Sequence, residues 1–139
     1  MMNTILCVGN RYCAEDSFGP MVYDYLFKND TPSAIDIIDG GLAGLDLLPY
    51  FENSDRVVIV DSVSGFGSPG ELISIGYEEL SSCEAVEYGH SAGIHYLLLC
   101  LPALGLIPKV TVTLIGFNGL VDASTIATAA SLALETINV

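Results

Sequence analysis

Arg56-Val57-Val58-Ile59-Val60-Asp61 is the stretch on which the fold turns. Val57 to Val60 are apolar without a polar alternation, so the run reads as a strand covered on both faces. Strands of that kind belong to parallel sheets with helices on either side. This one ends on Asp61, an acid at the mouth of an apolar run.

The segments on either side extend the pattern. Upstream, Thr4-Ile5-Leu6-Cys7-Val8-Gly9 reads as a first buried strand that stops at Gly9-Asn10. From Ser17 to Phe27, Phe18, Met21, Val22, Tyr25 and Leu26 recur at helical spacing, and Pro20 is tolerated because it falls in the first turn. Ile35-Asp36-Ile37-Ile38 makes a second strand, and Leu45 to Phe51 a short second helix that opens after Gly41 and Gly44 despite Pro49. Downstream, Glu71-Leu72-Ile73-Ser74-Ile75 is a fourth strand. Its link to the third, Ser62 to Gly70, is shorter than the roughly dozen residues a parallel crossover needs, so this strand is expected to run antiparallel. A third helix over Ser91 to Leu104, a strand over Val110 to Ile115 and a last helix over Ala123 to Ile137 complete the order. The prediction is an α/β fold in one domain, 1–139: a three-layer αβα sandwich of the phosphorylase/hydrolase-like kind, around a mostly parallel five-stranded twisted sheet with one antiparallel strand.

Composition narrows the function. A chain of 139 residues with 51% hydrophobic side chains has apolar surface for one core. Four basic residues (Arg11, Lys28, Arg56, Lys109) oppose 17 acidic ones, and a net charge of -13 repels a phosphate backbone, so nucleic acid is not an expected partner. The start, Met1-Met2-Asn3-Thr4, lacks a basic leader, and no apolar run reaches the roughly 20 residues that span a bilayer; a soluble, cytoplasmic protein with no membrane partner is expected, and a monomer. The cysteines at 7, 13, 83 and 100 form no CxxC pair, and Cys7 and Cys100, inside apolar runs, read as buried reduced thiols. There is no GxSxG elbow, which disfavours triad hydrolase chemistry. Gly40-Gly41-Leu42-Ala43-Gly44 lacks the GxGxxG spacing and the Walker lysine, so tight turning or close backbone approach explains it better than nucleotide binding.

Ligands in sheets of this type bind beyond the carboxyl ends of the strands. That rule selects Asn10 to Asp16, Asp39 to Gly44 and Asp61 to Gly65 as neighbours in one crevice. Asp16 and Asp61 would share its rim, and His90, in Tyr88-Gly89-His90-Ser91-Ala92-Gly93, precedes the third helix where a loop can bring an imidazole over it. Two carboxylates and one imidazole form an open O,O,N metal set that suits zinc, nickel or iron. Each residue also has a plainer role: Asp16 can cap the first helix, Asp61 can accept turn amides, and His90 can serve as a polar helix start. His95 is a rival ligand five residues on. Positions five apart lie on different faces of a helix, so at most one of the two histidines should point at the site.

The chain resembles the hydrogenase maturation endopeptidase family in four ordered blocks. They are Val8-Gly9-Asn10-Arg11-Tyr12-Cys13-Ala14-Glu15-Asp16-Ser17-Phe18-Gly19; Asp39-Gly40-Gly41-Leu42-Ala43-Gly44-Leu45-Asp46-Leu47-Leu48; Val58-Ile59-Val60-Asp61-Ser62-Val63 leading to Gly65 and Pro69-Gly70; and Gly89-His90-Ser91-Ala92-Gly93-Ile94. The resemblance implies that Asp16, Asp61 and His90 are both the metal ligands and the catalytic residues, with Glu15 beside them as a hydrogen-bond acceptor or a solvated acid. Ser17 stands where the family often has glycine, and the residues before His90 depart from its commoner form. The implied activity is a single cleavage that removes the C-terminal extension of a nickel–iron hydrogenase large-subunit precursor. Nickel supplied by that precursor is the implied recognition element, with zinc or cadmium as occupants in vitro and no organic cofactor. On this view a metal-polarised carbonyl is attacked by water activated by Asp16 or Asp61. The alternative is a non-catalytic metal-binding docking module for hydrogenase assembly, which would hold an intact precursor tail; a flavodoxin-like nucleotide binder would instead be indifferent to His90.

Overall fold

A computed structural model describes residues 2–29, 31–64, 68–81, 87–88 and 92–138. The elements are β1 (Met2–Val8), a 3-10 turn (Ala14–Asp16), α1 (Phe18–Lys28), β2 (Ile35–Gly41), a second 3-10 turn (Gly44–Leu47) running into α2 (Leu48–Glu52), β3 (Ser54–Ser64), β4 (Leu72–Gly76), α3 (Tyr77–Ser81), β5 (Glu87–Tyr88), α4 (Ala92–Cys100), β6 (Thr111–Phe117) and α5 (Ala123–Ile137). Strand order is β2-β1-β3-β6-β4. The pairs β1/β2, β1/β3 and β3/β6 are parallel, and β4 lies antiparallel on β6. This is the predicted sheet, with β5 added as a two-residue antiparallel partner at the far end of β3.

Alternation along the strands builds the two outer layers. Leu6, Val8, Val57, Ile59, Val112 and Leu114 turn to one side and pack with Phe51 of α2 and Ile94, Leu97 and Leu98 of α4. Ile5, Cys7, Val58, Val60 and Ile115 turn to the other and pack with Phe18, Val22 and Leu26 of α1 and with Ala129, Ala130 and Ala133 of α5. Each fully buried Phe, Leu or Ile contributes about 1.5–3 kcal/mol relative to exposure. Phe18, the first residue of α1, meets Phe117, the last of β6, with ring centroids 5.6 Å apart. That contact fixes the N-terminal end of α1 at the carboxyl edge of the sheet.

The differences from expectation have local causes. β3 does not end on Asp61; it continues through Ser62 and Val63 to Ser64, because β6 and β5 still offer ladder partners there. β2 likewise extends to Gly41, so Asp39 lies inside a strand. The third helix ends at Cys100, four residues short of Leu104, since Pro102 disfavours helical geometry at Leu101. The chain then turns through residues 101–110, with the Leu104 amide on the Cys100 carbonyl and the Val110 amide on the Leu106 carbonyl. Cys100 is half-buried there, whereas Cys7 is fully buried as expected. The last helix has the predicted bounds, and Asp122 caps it by accepting the Thr125 amide at 2.8 Å. No described helix is long and apolar enough to cross a membrane.

Candidate active site

The loop after β1 is built around one carboxylate. Gly9 leaves the strand at φ +140, a conformation that L side chains rarely adopt, and a Cβ there would stand 2.3 Å from the Asp16 carbonyl oxygen. The chain doubles back at once: the Cys13 amide donates to the Asn10 carbonyl at 3.1 Å and the Asp16 amide to the Cys13 carbonyl at 2.9 Å. Asn10 holds the turn from both sides, its Oδ1 accepting the Tyr12 amide and its own amide donating to Asp16 Oδ2, each at 3.0 Å. Asp16 is 0% exposed in consequence. The capping role open to it in sequence is not the one it takes, since the N-cap of α1 is Ser17 and no side-chain cap bond is made. Glu15, its neighbour, is exposed.

Asp61 reaches the same edge from β3. The β1 ladder stops at Cys7 opposite Val60, while β6 continues to pair past Asp61, whose partner is Gly116. Asp61 therefore stands one residue beyond the last β1–β3 pair, on the face shared by Val57, Ile59 and Val63. It is 0% exposed, and neither carboxylate oxygen makes a well-formed hydrogen bond among the described residues. Burial pushes its pKa well above the usual carboxylate value, the charge of Asp16 pushes it further, and the neighbouring Ser62 amide only partly opposes them. The charge of Asp16 is felt at Asp61, so both buried acids lie on the same side of the sheet's carboxyl edge, where the strand-end rule looks for a site.

A buried carboxylate pair under this strain is a fit site for a dication, which relieves both the desolvation and the repulsion. Among the described residues, no third Asp, Glu, His or Cys completes a metal cluster. His90 lies outside the described residues, as does Cys83. α4, which follows His90 in sequence, packs against the Asp61 face of the sheet through Ile94, Leu97 and Leu98. His95 is half-buried on that helix, between buried Ile94 and exposed Tyr96.

The glycine-rich segment turns and makes close approach, the uses its spacing suggested. Gly41 and Gly44 take positive φ, and the Gly41 carbonyl accepts the Gly9 amide at 3.0 Å, tying the loops after β1 and β2 together. Arg11 was not singled out by its sequence context. Its Nη1 donates to Asp24 Oδ2 of α1 at 2.9 Å, and its Nη2 to Asp39 Oδ2 of β2 at 3.0 Å and to Asp24 Oδ1 at 3.3 Å. The available signal was its position, a cation inside the acidic first block.

Comparison with known proteins agrees with this fold. Residues 21–136 match the HycI hydrogenase maturation protease family. The chain is 30% identical over 115 residues to the hydrogenase 2 maturation protease of Escherichia coli, covering 81% of this chain and 70% of that protein. It is also 30% identical over 108 residues to the hydrogenase expression/formation protein HupD of Bradyrhizobium diazoefficiens, covering 76% of this chain but only 56% of that longer protein. Among solved structures, the hydrogenase maturating endopeptidase HybD of Escherichia coli superposes with a TM-score of 0.80 at 26% identity, covering 99% of this chain and 93% of that one. The HybD protease of Thermococcus kodakarensis, at 20% identity and a TM-score of 0.66 over 99% of this chain and 97% of its own, shares the fold.

Proposed function

Because the chain belongs to the hydrogenase maturation protease family, we propose that it is an endopeptidase that removes the C-terminal extension of a nickel–iron hydrogenase large-subunit precursor after nickel insertion, working as a cytoplasmic monomer. The observation that carries this reading is the pair of fully buried carboxylates, Asp16 and Asp61, at the carboxyl edge of the sheet. A buried acid whose proton affinity is raised by burial and by an acidic neighbour is poorly suited to stand alone and well suited to receive a cation. Nickel arrives as part of the substrate. Asp16 and Asp61 offer it oxygen ligands and His90 a nitrogen, the donor set that zinc or cadmium would also accept in vitro. No organic cofactor enters the reaction.

Recognition then depends on the cargo. A precursor without nickel has no ion to share with the carboxylates and loses a contact worth on the order of several kcal/mol. Nickel, when present, polarises the scissile carbonyl. Of the two acids, Asp61 is the stronger candidate for general base, since burial raises its proton affinity while Asp16 Oδ2 is already held by the Asn10 amide. A water positioned by Asp61 loses its proton to the carboxylate as it attacks the carbonyl carbon, and that proton then passes to the amide nitrogen as the C–N bond breaks and the C-terminal peptide leaves.

The test is to mix the protein with nickel-loaded and nickel-free precursors and to read precursor mass before and after. Loss of a C-terminal peptide from the loaded form alone is the expected result, abolished by Asp16→Ala. Tight binding of the loaded precursor without cleavage would replace the protease reading with the docking module, and an Asp16→Ala variant that processes at the wild-type rate would remove Asp16 from the site.

A further inference from the structure

We infer that Arg11 is a positioning residue for Asp16: its three-bond clamp onto Asp24 and Asp39 holds the strand-end loop whose Asn10 amide fixes the Asp16 carboxylate. The inference rests on the assignment of Asp16 to the reaction. Besides the Gly9 amide on the Gly41 carbonyl, the described backbone bonds of this loop stay within it. It leaves β1 through Gly9, the most permissive residue for the backbone, and its next two side chains are Asn10, spent on the turn itself, and Arg11.

Arg11 reaches out of this loop in two directions. One is to Asp24, in the middle of α1, which it grips through both carboxylate oxygens at 2.9 and 3.3 Å; the other is to Asp39 of β2, opposite Cys7 in the ladder, at 3.0 Å. A planar guanidinium can satisfy two carboxylates at fixed angles, which a lysine ammonium cannot. The loop is thereby referenced to the helix that follows Asp16 and to the strand beside β1. Because Arg11 is the residue after Asn10, any shift of the clamp moves the peptide whose N–H meets Asp16 Oδ2.

The clamp is partly solvent-exposed, with side-chain exposures of 37%, 44% and 35% for Arg11, Asp24 and Asp39, so it adds little to global stability. Its effect belongs to geometry, where a small misplacement of a reacting group lowers the rate far more than it loosens the fold.

The experiment compares wild type, Arg11→Ala, Arg11→Lys and Asp24→Asn in two readouts: hydrogen exchange of the Asn10 amide by NMR, and kcat and KM for processing of nickel-loaded precursor. Arg11→Ala is expected to speed Asn10 exchange about tenfold and to lower kcat by about tenfold with KM within about twofold. Arg11→Lys is expected between it and wild type, and Asp24→Asn, which keeps side-chain size, to move both readouts the same way. Faster exchange with unchanged kcat overturns the positioning role, as does a lower kcat with unchanged exchange. Should Arg11→Ala fail to fold, Asp24→Asn decides by the same two readouts. If wild type itself does not cleave, the protease reading falls, and Asn10 exchange still tests whether the clamp orders the loop.

Discussion

Asp61 works against the fold that holds it. Its carboxylate is fully buried without a well-formed hydrogen bond among the described residues, and Asp16 adds a like charge. The folded-state pKa is thus above the unfolded value near 3.8, so the folded state binds more protons over the window between the two. Stability from this group is fully present below the unfolded value and is lost as pH rises through the folded one. Asp61→Asn should therefore raise stability at pH 7 by roughly 1–3 kcal/mol while ending precursor cleavage, and the gain should vanish below about pH 4, where Asp61 is protonated in both states. Paired thermal melts at pH 7 and pH 4 check this; a variant less stable than wild type at both values would show that Asp61 is held by bonds, not strained by burial. At this scale the sequence was informative about identity and silent about environment. Asp16 and Asp61 were legible because each follows an apolar strand. The grip of Asn10 on Asp16 and the reach of Arg11 to Asp24 were not, since they depend on loop geometry that no periodicity encodes.

Elements bring those residues together, and the first turn of α1 is the tightest joint among them. A Cβ on Gly19 would stand 2.1 Å from the Val8 carbonyl oxygen and 2.7 Å from that of Val60. Both are strand backbone and cannot move aside, so the helix must. Gly19→Ala is expected to destabilise the protein by about 3 kcal/mol or more and to shift Asp16 from Asp61, lowering processing even at temperatures where the variant is folded. Gly76→Ala, at the end of β4 where an added Cβ meets nothing within 4 Å, is the matched control and should stay within about 0.5 kcal/mol. Denaturant melts of the pair decide it, and equal losses would mean that α1 packs less closely than the glycine implies. Long apolar runs made β1, β3 and β6 readable from sequence, and helical patterning made α5 readable over its length. What was missed is short or borrowed. α3 is a single turn secured by buried Leu80 and by the Tyr77 hydroxyl donating to the Leu98 carbonyl, and the extension of β3 past Asp61 exists because its neighbours continue. Tertiary partners, not local pattern, set both.

Charge acts on the molecule as a whole and is read from composition without any fold. Seventeen acids against four bases leave a net charge of -13, and one of those bases, Arg11, is already shared between two acids. Acids therefore far outnumber the cations that could neutralise them, and compaction brings like charges closer. Exposed charges repel over about 30 Å at 0.01 M salt but only about 8 Å at 0.15 M, so this range tests the repulsion while adding little salting-out. Melting temperature should rise by roughly 3–6 °C as sodium chloride goes from 10 to 150 mM at pH 7, about 1 kcal/mol for a chain of this size. Asp61→Asn should show the same rise, because the buried Asp61 is screened far less than the surface. A fall with added salt would mean that attractive ion pairs outweigh self-repulsion, and the Arg11 clamp would then matter to stability as well as to the site. A rise confined to the wild type would instead trace the effect to Asp61 and return the question to the residue.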